Sequence, residues 1–111
     1  MHKTKTACLL LLIALLSGLP LPAPAKQFKS SDFLRHSEEQ RTWWYIGAFE
    51  SIGHVASLKN KDQGNCIWTW YFSDGDAKNI LIERAMKKYP DYTPTAIVIA
   101  LLQQACGPLN P

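Results

Sequence analysis

Cys66 and Cys106 are the only cysteines from residue 26 onward, so a crosslink there has one possible connectivity. It would tie the middle of a short chain to its end. Compartment decides whether such a pair forms, because an oxidising space joins cysteines that the cytosol keeps reduced. The N-terminus speaks to the compartment. Lys3 and Lys5 precede an apolar run over residues 7–16, Ser17, Gly18 and Pro20 break that run, and Ala23-Pro24-Ala25 places small residues where a signal peptidase reads. A basic start, a short apolar stretch and an A-x-A end form a secretory leader. The run is about half the ~20 residues a spanning helix needs, which argues against a retained anchor. No cysteine stands at the cleavage point to carry a lipid. The expected plan is a signal peptide over residues 1–25 and one working domain over residues 26–111. Cys8 leaves with the leader. Cys66 and Cys106 are then expected to join, the alternative being two buried thiols, and closing that loop stabilises the fold by about 4 kcal/mol in the chain-entropy account.

Removing Lys3 and Lys5 lowers the formal charge from +3 by two units. The remainder is too small for electrostatic binding of nucleic acid and supplies no polybasic patch for a membrane surface. The length allows one modest core.

Ser31 ahead of Asp32-Phe33-Leu34-Arg35 can open a short helical turn. Ser37-Glu38-Glu39-Gln40 has the form of a capping box, with both acids at the positive end of the helix dipole. The stretch after it runs without proline to about Asn60. Tyr45, Ala48, Phe49, Ile52, Val55 and Ala56 recur there at helical spacing and predict a buried face. Gly47 and Gly53 lie inside this helix and are read as points of close packing. Residues 60–65 are read as a polar turn that ends it. Residues 66–72, rich in aromatic and branched side chains, are read as an extended connection pinned by Cys66. Ser73 or Asp74 caps a second helix to about Lys88, with Ala77, Ile80, Leu81 and Ala85 as its apolar face and Lys87 and Lys88 at its negative end. Tyr89-Pro90 stops it. Thr93-Pro94 starts a third, with a stripe of Ile97, Val98, Leu101, Leu102 and Ala105, and Cys106-Gly107-Pro108 closes it. The expected fold is a small compact all-α domain with three main helices and one disulfide.

Few residues in this pattern carry reaction chemistry. His36 and His54 share no close motif, and neither has metal-ligand spacing to the cysteines. Glu50 and His54 stand four apart on one helix, as an ordinary surface pair does. Asp74-Gly75-Asp76 resembles the start of a calcium loop whose later ligands are missing. The chain is therefore expected to be no enzyme and to hold no cofactor or metal. Trp68, Trp70, Tyr71 and Phe72 are read as packing side chains in preference to a stacking platform. Trp43 and Trp44 are consecutive on a helix and point about 100° apart, so one neighbour cannot bury both. They are the candidate contacts of a dimer.

Four segments, taken in order, resemble the Rap/Tai family of immunity proteins. These are residues 44–52 (Trp-Tyr-Ile-Gly-Ala-Phe-Glu-Ser-Ile), Cys66 after a polar turn, Lys87-Lys88-Tyr89-Pro90, and residues 93–106 from Thr93-Pro94 to Ala105-Cys106. The likeness runs from about Phe33 to Gly107. It departs after Cys66, where the family commonly has a proline and this chain has Ile67-Trp68-Thr69-Trp70. The resemblance implies a helical periplasmic protein, frequently a homodimer, that blocks a type VI secretion peptidoglycan amidase by occluding its active site. On that reading the exposed connections at residues 59–65, 73–76 and 89–92 carry recognition, with Lys61, Asp62, Asn65, Asp74, Asp76, Asp91 and Tyr92 as candidate contacts. The alternative is a small periplasmic acid-stress chaperone, which low pH would switch on through carboxylate protonation. A small hydrolase using Glu50 and His54 ranks last. Protein isolated from the periplasm is expected to have the mass of residues 26–111 less two hydrogens. Intact-mass spectrometry checks this, and a retained leader or two free thiols would contradict it.

Overall fold

The computed structural model describes residues 26–109; the expected leader over residues 1–25 and the last two residues lie outside them. Every regular element in this range is helical: α1 (Ser30–Phe33), α2 (Glu38–Lys59), α3 (Lys61–Phe72), α4 (Gly75–Lys88) and α5 (Pro94–Cys106). Local chemistry sets most boundaries. Ser37 and Gln40 form the expected reciprocal cap at the start of α2, each accepting from the other's backbone N–H at 3.2 Å. Asp74 Oδ1 accepts from the Ala77 N–H, and Thr93 Oγ1 from the Ala96 N–H, ahead of Pro94 in the first turn of α5. Gly107, at φ 86° and ψ 172°, ends α5 in a conformation that side chains rarely adopt.

The expected extended connection at residues 66–72 is instead helix α3, and the expected polar turn at residues 60–65 shrinks to one residue. Asn60 alone is extended, and its side chain accepts from the N–H groups of Asp62 and Gln63, so it ends α2 and caps α3 together. The body thus has four main helices, not three, with α1 as one added turn. Packing overrode the branched and aromatic composition of this segment. Gly64, Ile67 and Tyr71 share one buried face, and Tyr71 stacks on Phe49 with ring centroids 4.2 Å apart.

Helices α2 and α3 share the largest contact, and their backbones meet at glycines. A Cβ on Gly64 would fall 2.5 Å from the Ser57 Cβ and 2.9 Å from the Gly53 carbonyl oxygen. Gly53 is a close-packing point as expected, while Gly47 is exposed and has nothing within 4 Å of the place of a Cβ.

From α3 the core spreads to α5, and from α5 to α4. The disulfide between Cys66 and Cys106 forms, with Cα atoms 5.8 Å apart. Beside it the Gln63 side-chain amide donates to the Pro108 carbonyl at 2.8 Å and lies 3.3 Å from that of Gly107, holding the chain as it leaves α5. Of the expected α2 face, Tyr45 and Phe49 are fully buried, and Ala48, Ile52 and Ala56 half-buried, whereas Val55 faces outward. The α4 face differs more. Ile82 and Met86 are its buried residues, and Ile80 and Leu81 are exposed. Polar residues share the inward side of α4 because they have partners there: Asn79 accepts from the Tyr71 hydroxyl at 2.9 Å, and Glu83 pairs with Arg41 at 2.7 Å. On α5, Ile97, Val98 and Leu102 are buried as expected, Leu101 is half-buried, and Ala105 is exposed.

The two outlying glycine environments predict opposite signs. Gly64→Ala lowers stability by about 2–3 kcal/mol, since backbone and a Cβ stand where the methyl must go. Gly47→Ala raises it by about 0.5–1 kcal/mol, since the helix gains rigidity at no steric cost. Urea unfolding followed by circular dichroism checks both.

Candidate functional site

The residues assemble three surface features on this body: an aromatic tip, an apolar groove and an open helix face. The tip is the connection between α4 and α5. Tyr89 and Tyr92 are 46% and 60% exposed, with edge-to-face rings 6.0 Å apart. Pro90 and Asp91 lie between them. The N-terminal segment holds the backbone of this connection. Ser30 donates to the Tyr92 carbonyl twice, from its N–H at 2.8 Å and its hydroxyl at 2.7 Å, and the Ser31 N–H donates to that of Pro90 at 3.1 Å. Ser30 is fully buried, and Phe33 of the same turn enters the core against Trp44 and Tyr45. Lys29 reaches the exposed carboxylate of Asp91 at 3.4 Å. The backbone of the connection is thus occupied, and its side chains are what it offers to a partner.

The groove, of about 440 Å³, is lined by Ser51, Ile52, Val55, Ala56, Lys59, Gln63 and Leu109. The open face belongs to α2 and carries Trp43, Gly47, Glu50, Ser51, His54 and Leu58, all exposed. A shallow cleft beside it brings Glu50 and His54 together with Asn65 and Trp68 of α3.

Of the expected contacts, Lys61 and Asp62 stand exposed in the first turn of α3, and Asn65 one turn on. Asp74 is occupied in capping α4, whereas Asp76 in the first turn is exposed. Asp91 and Tyr92 are in the tip. Residues 61–65 lie in the first turns of α3, residues 73–76 link α3 to α4 and enter its first turn, and residues 89–92 link α4 to α5. Trp43 is 66% exposed, but Trp44 turns inward, its ring 5.0 Å from that of Phe33. Trp68 is half exposed, and Trp70 packs 5.7 Å from Phe49 with Lys78 over its ring.

One polar node escaped sequence reasoning. Arg41 Nε and the Tyr45 hydroxyl both donate to Glu83 Oε1, at 2.7 and 3.3 Å, and Arg41 also donates to the backbone carbonyls of Leu34 and His36. It joins α2, α4 and the link after α1. Nothing local marks it, since Arg41 and Glu83 are far apart in sequence and look like ordinary surface charges. Among the described residues no group of three or more His, Cys, Asp or Glu side chains could hold a metal ion, and no helix is long and apolar enough to cross a membrane. The architecture defines an all-helical, single-disulfide domain. Comparison with protein-family models, curated proteins and solved structures finds no match to the chain.

Burial raises the Tyr45 phenol well above its ordinary range, and the neighbouring Glu83 charge raises it further. Burial also raises Tyr71. The folded state therefore holds these protons more tightly than the unfolded chain. Their contribution to stability is complete below the ordinary phenol pKa near ~10 and is lost as pH rises through the folded values. The thermal midpoint is expected to fall on going from pH 9 to 11, with a smaller fall in Tyr45→Phe; calorimetry, with absorbance at 295 nm to report ionisation, checks this.

Proposed function

We propose that this chain is a periplasmic immunity protein that binds a type VI secretion peptidoglycan amidase and blocks its active site by occlusion. The four segments that resemble the Rap/Tai family fall on α2, on α3 at Cys66, on the end of α4, and on α5 with its closing cysteine. A disulfide between α3 and α5 is compatible with an exported protein.

The observation that carries the proposal is the tip at residues 89–92. An occluding inhibitor loses affinity if its contact loop must be ordered on binding. Here four groups from the N-terminal segment, including the buried Ser30 hydroxyl, fix the loop in the free protein. Its two tyrosines present large, rigid rings, each with few torsions to restrict. Asp91 stands between them as a carboxylate that can accept hydrogen bonds at a cleft. The tip needs no reacting group, because filling the cleft excludes substrate.

The test pairs the mature protein with the hydrolase encoded beside its gene. The expected result is stoichiometric loss of peptidoglycan cleavage. The Tyr89→Ala, Tyr92→Ala double variant is expected to raise the inhibition constant by at least about 30-fold, the scale of one interface hot spot of ~2 kcal/mol. Its thermal midpoint should change little, because both rings project from the fold. Undiminished inhibition by the double variant would remove the tip from the mechanism. A neighbouring hydrolase that neither binds nor is inhibited would remove the proposal itself.

A further inference from the structure

We infer that the cleft between α2 and α3 binds a guanidinium group, the side chain of an arginine presented by a partner protein. No residue of the tip lines this cleft, so the two surfaces can be tested apart.

The cleft, of about 410 Å³, takes Glu50, His54 and Ser57 from α2 and Asn65 and Trp68 from α3. Trp68 is half exposed, yet its ring is held: Phe72 lies against it with centroids 4.4 Å apart. A helical side chain leans over the turn before its own Cα. For Trp68 that turn holds Gly64, which brings no side chain against the ring. The glycine that lets α2 and α3 approach thus also leaves a supported indole bordering open space.

Charge selects what can enter. Glu50 is the one acid lining the cleft, and no lysine or arginine lines it. The ion pairs among the described residues are Lys29–Asp91, Arg35–Asp32 and Arg41–Glu83, so Glu50 stands without a cation. A carboxylate and the face of an indole both attract positive charge. The same carboxylate repels a phosphate or an acidic peptide.

Hydrogen-bonding capacity narrows the choice further. The Ser57 hydroxyl spends its one proton on the His54 carbonyl at 2.7 Å, so its oxygen offers only lone pairs. Ionised Glu50 also only accepts, and Asn65 adds a carbonyl oxygen. A guanidinium has five N–H donors, no acceptor, and a flat face that stacks on an aromatic ring. An ammonium has donors without the flat face. A sugar hydroxyl carries lone pairs that Glu50 and Ser57 cannot use.

An exposed ion pair and an exposed cation–π contact are each weak, so a free arginine derivative is expected to dissociate at about 1–10 mM. Titration of the ¹⁵N-labelled mature protein with Nα-acetyl-arginine amide, followed by NMR, tests this. The Trp68 indole N–H and the backbone amides of residues 50–54 and 64–68 should shift and saturate. The corresponding lysine derivative, and the Glu50→Gln variant with the arginine derivative, should each bind at least about threefold more weakly. Glu50 is exposed, so that variant should keep its helical circular dichroism. Trp43 is 66% exposed, with no aromatic ring against its own among the described residues, and its indole N–H should shift less than that of Trp68. Shifts that do not saturate by about 50 mM would overturn the inference. So would equal binding of the lysine derivative, undiminished binding by Glu50→Gln, an equal response at Trp43, or tighter binding of a neutral disaccharide at the same residues.

Discussion

The approach of α2 to α3 at Gly64 is the contact on which the other helices are arranged. A close helix–helix approach requires that no side chain stand between the two backbones, and Gly64 meets that requirement against Ser57 and the Gly53 carbonyl. Everything C-terminal is then referred to α3. Phe49 and Tyr71 stack across the same interface, Ile67 fills the space beneath, and Cys66, one residue before Ile67, carries the bond to the end of α5. The noncovalent and covalent ties thus occupy adjacent turns of one helix. The disulfide restrains α5 against a helix that α2 already holds, so it closes a ring of packed elements.

Polar contacts complete what apolar burial leaves open. The Arg41–Glu83–Tyr45 node and the Tyr71–Asn79 hydrogen bond both join α4 to helices earlier in the chain. Each places a hydrogen-bonding group of a large buried ring against a fixed partner. Among the described residues no buried side-chain nitrogen or oxygen lacks a hydrogen-bond partner. This is how a small domain accommodates tyrosines at its centre, where an unsatisfied hydroxyl would be costly.

What could be read from the chain was what local chemistry determines. The Ser37–Gln40 cap, Thr93-Pro94, the stop at Gly107 and the all-helical class depend on neighbours in sequence, and each was legible. Helix α3 was not, because its aromatic and branched residues favour extended structure until Phe49 and Gly53 stand opposite. Asn60, with Asp62 in the turn after it, was the available signal, as was the spacing of Gly64, Ile67 and Tyr71. On α4 the apolar residues Ile80 and Leu81 misled, since the inward side is shared by Asn79 and Glu83, whose partners lie on other helices. Surface recognition was the least legible. Nothing in the first residues of the domain announces that Ser30 braces the loop at Tyr92, whereas Asp74 was already legible as a candidate cap, the role that occupies its carboxylate.

The brace at Ser30 has a consequence for the order in which the domain can be completed. Ser30 and Ser31 are near the start of the domain, and the carbonyls that receive their hydrogens belong to Tyr92 and Pro90. Synthesis delivers donors long before acceptors. Until α4 has emerged and the connection after it is in place, the first turn has no dock, and Phe33 lacks part of the core it enters. Docking of the first turn therefore requires the connection after α4, a long-range closure of the kind that slows folding relative to a bundle with only local contacts.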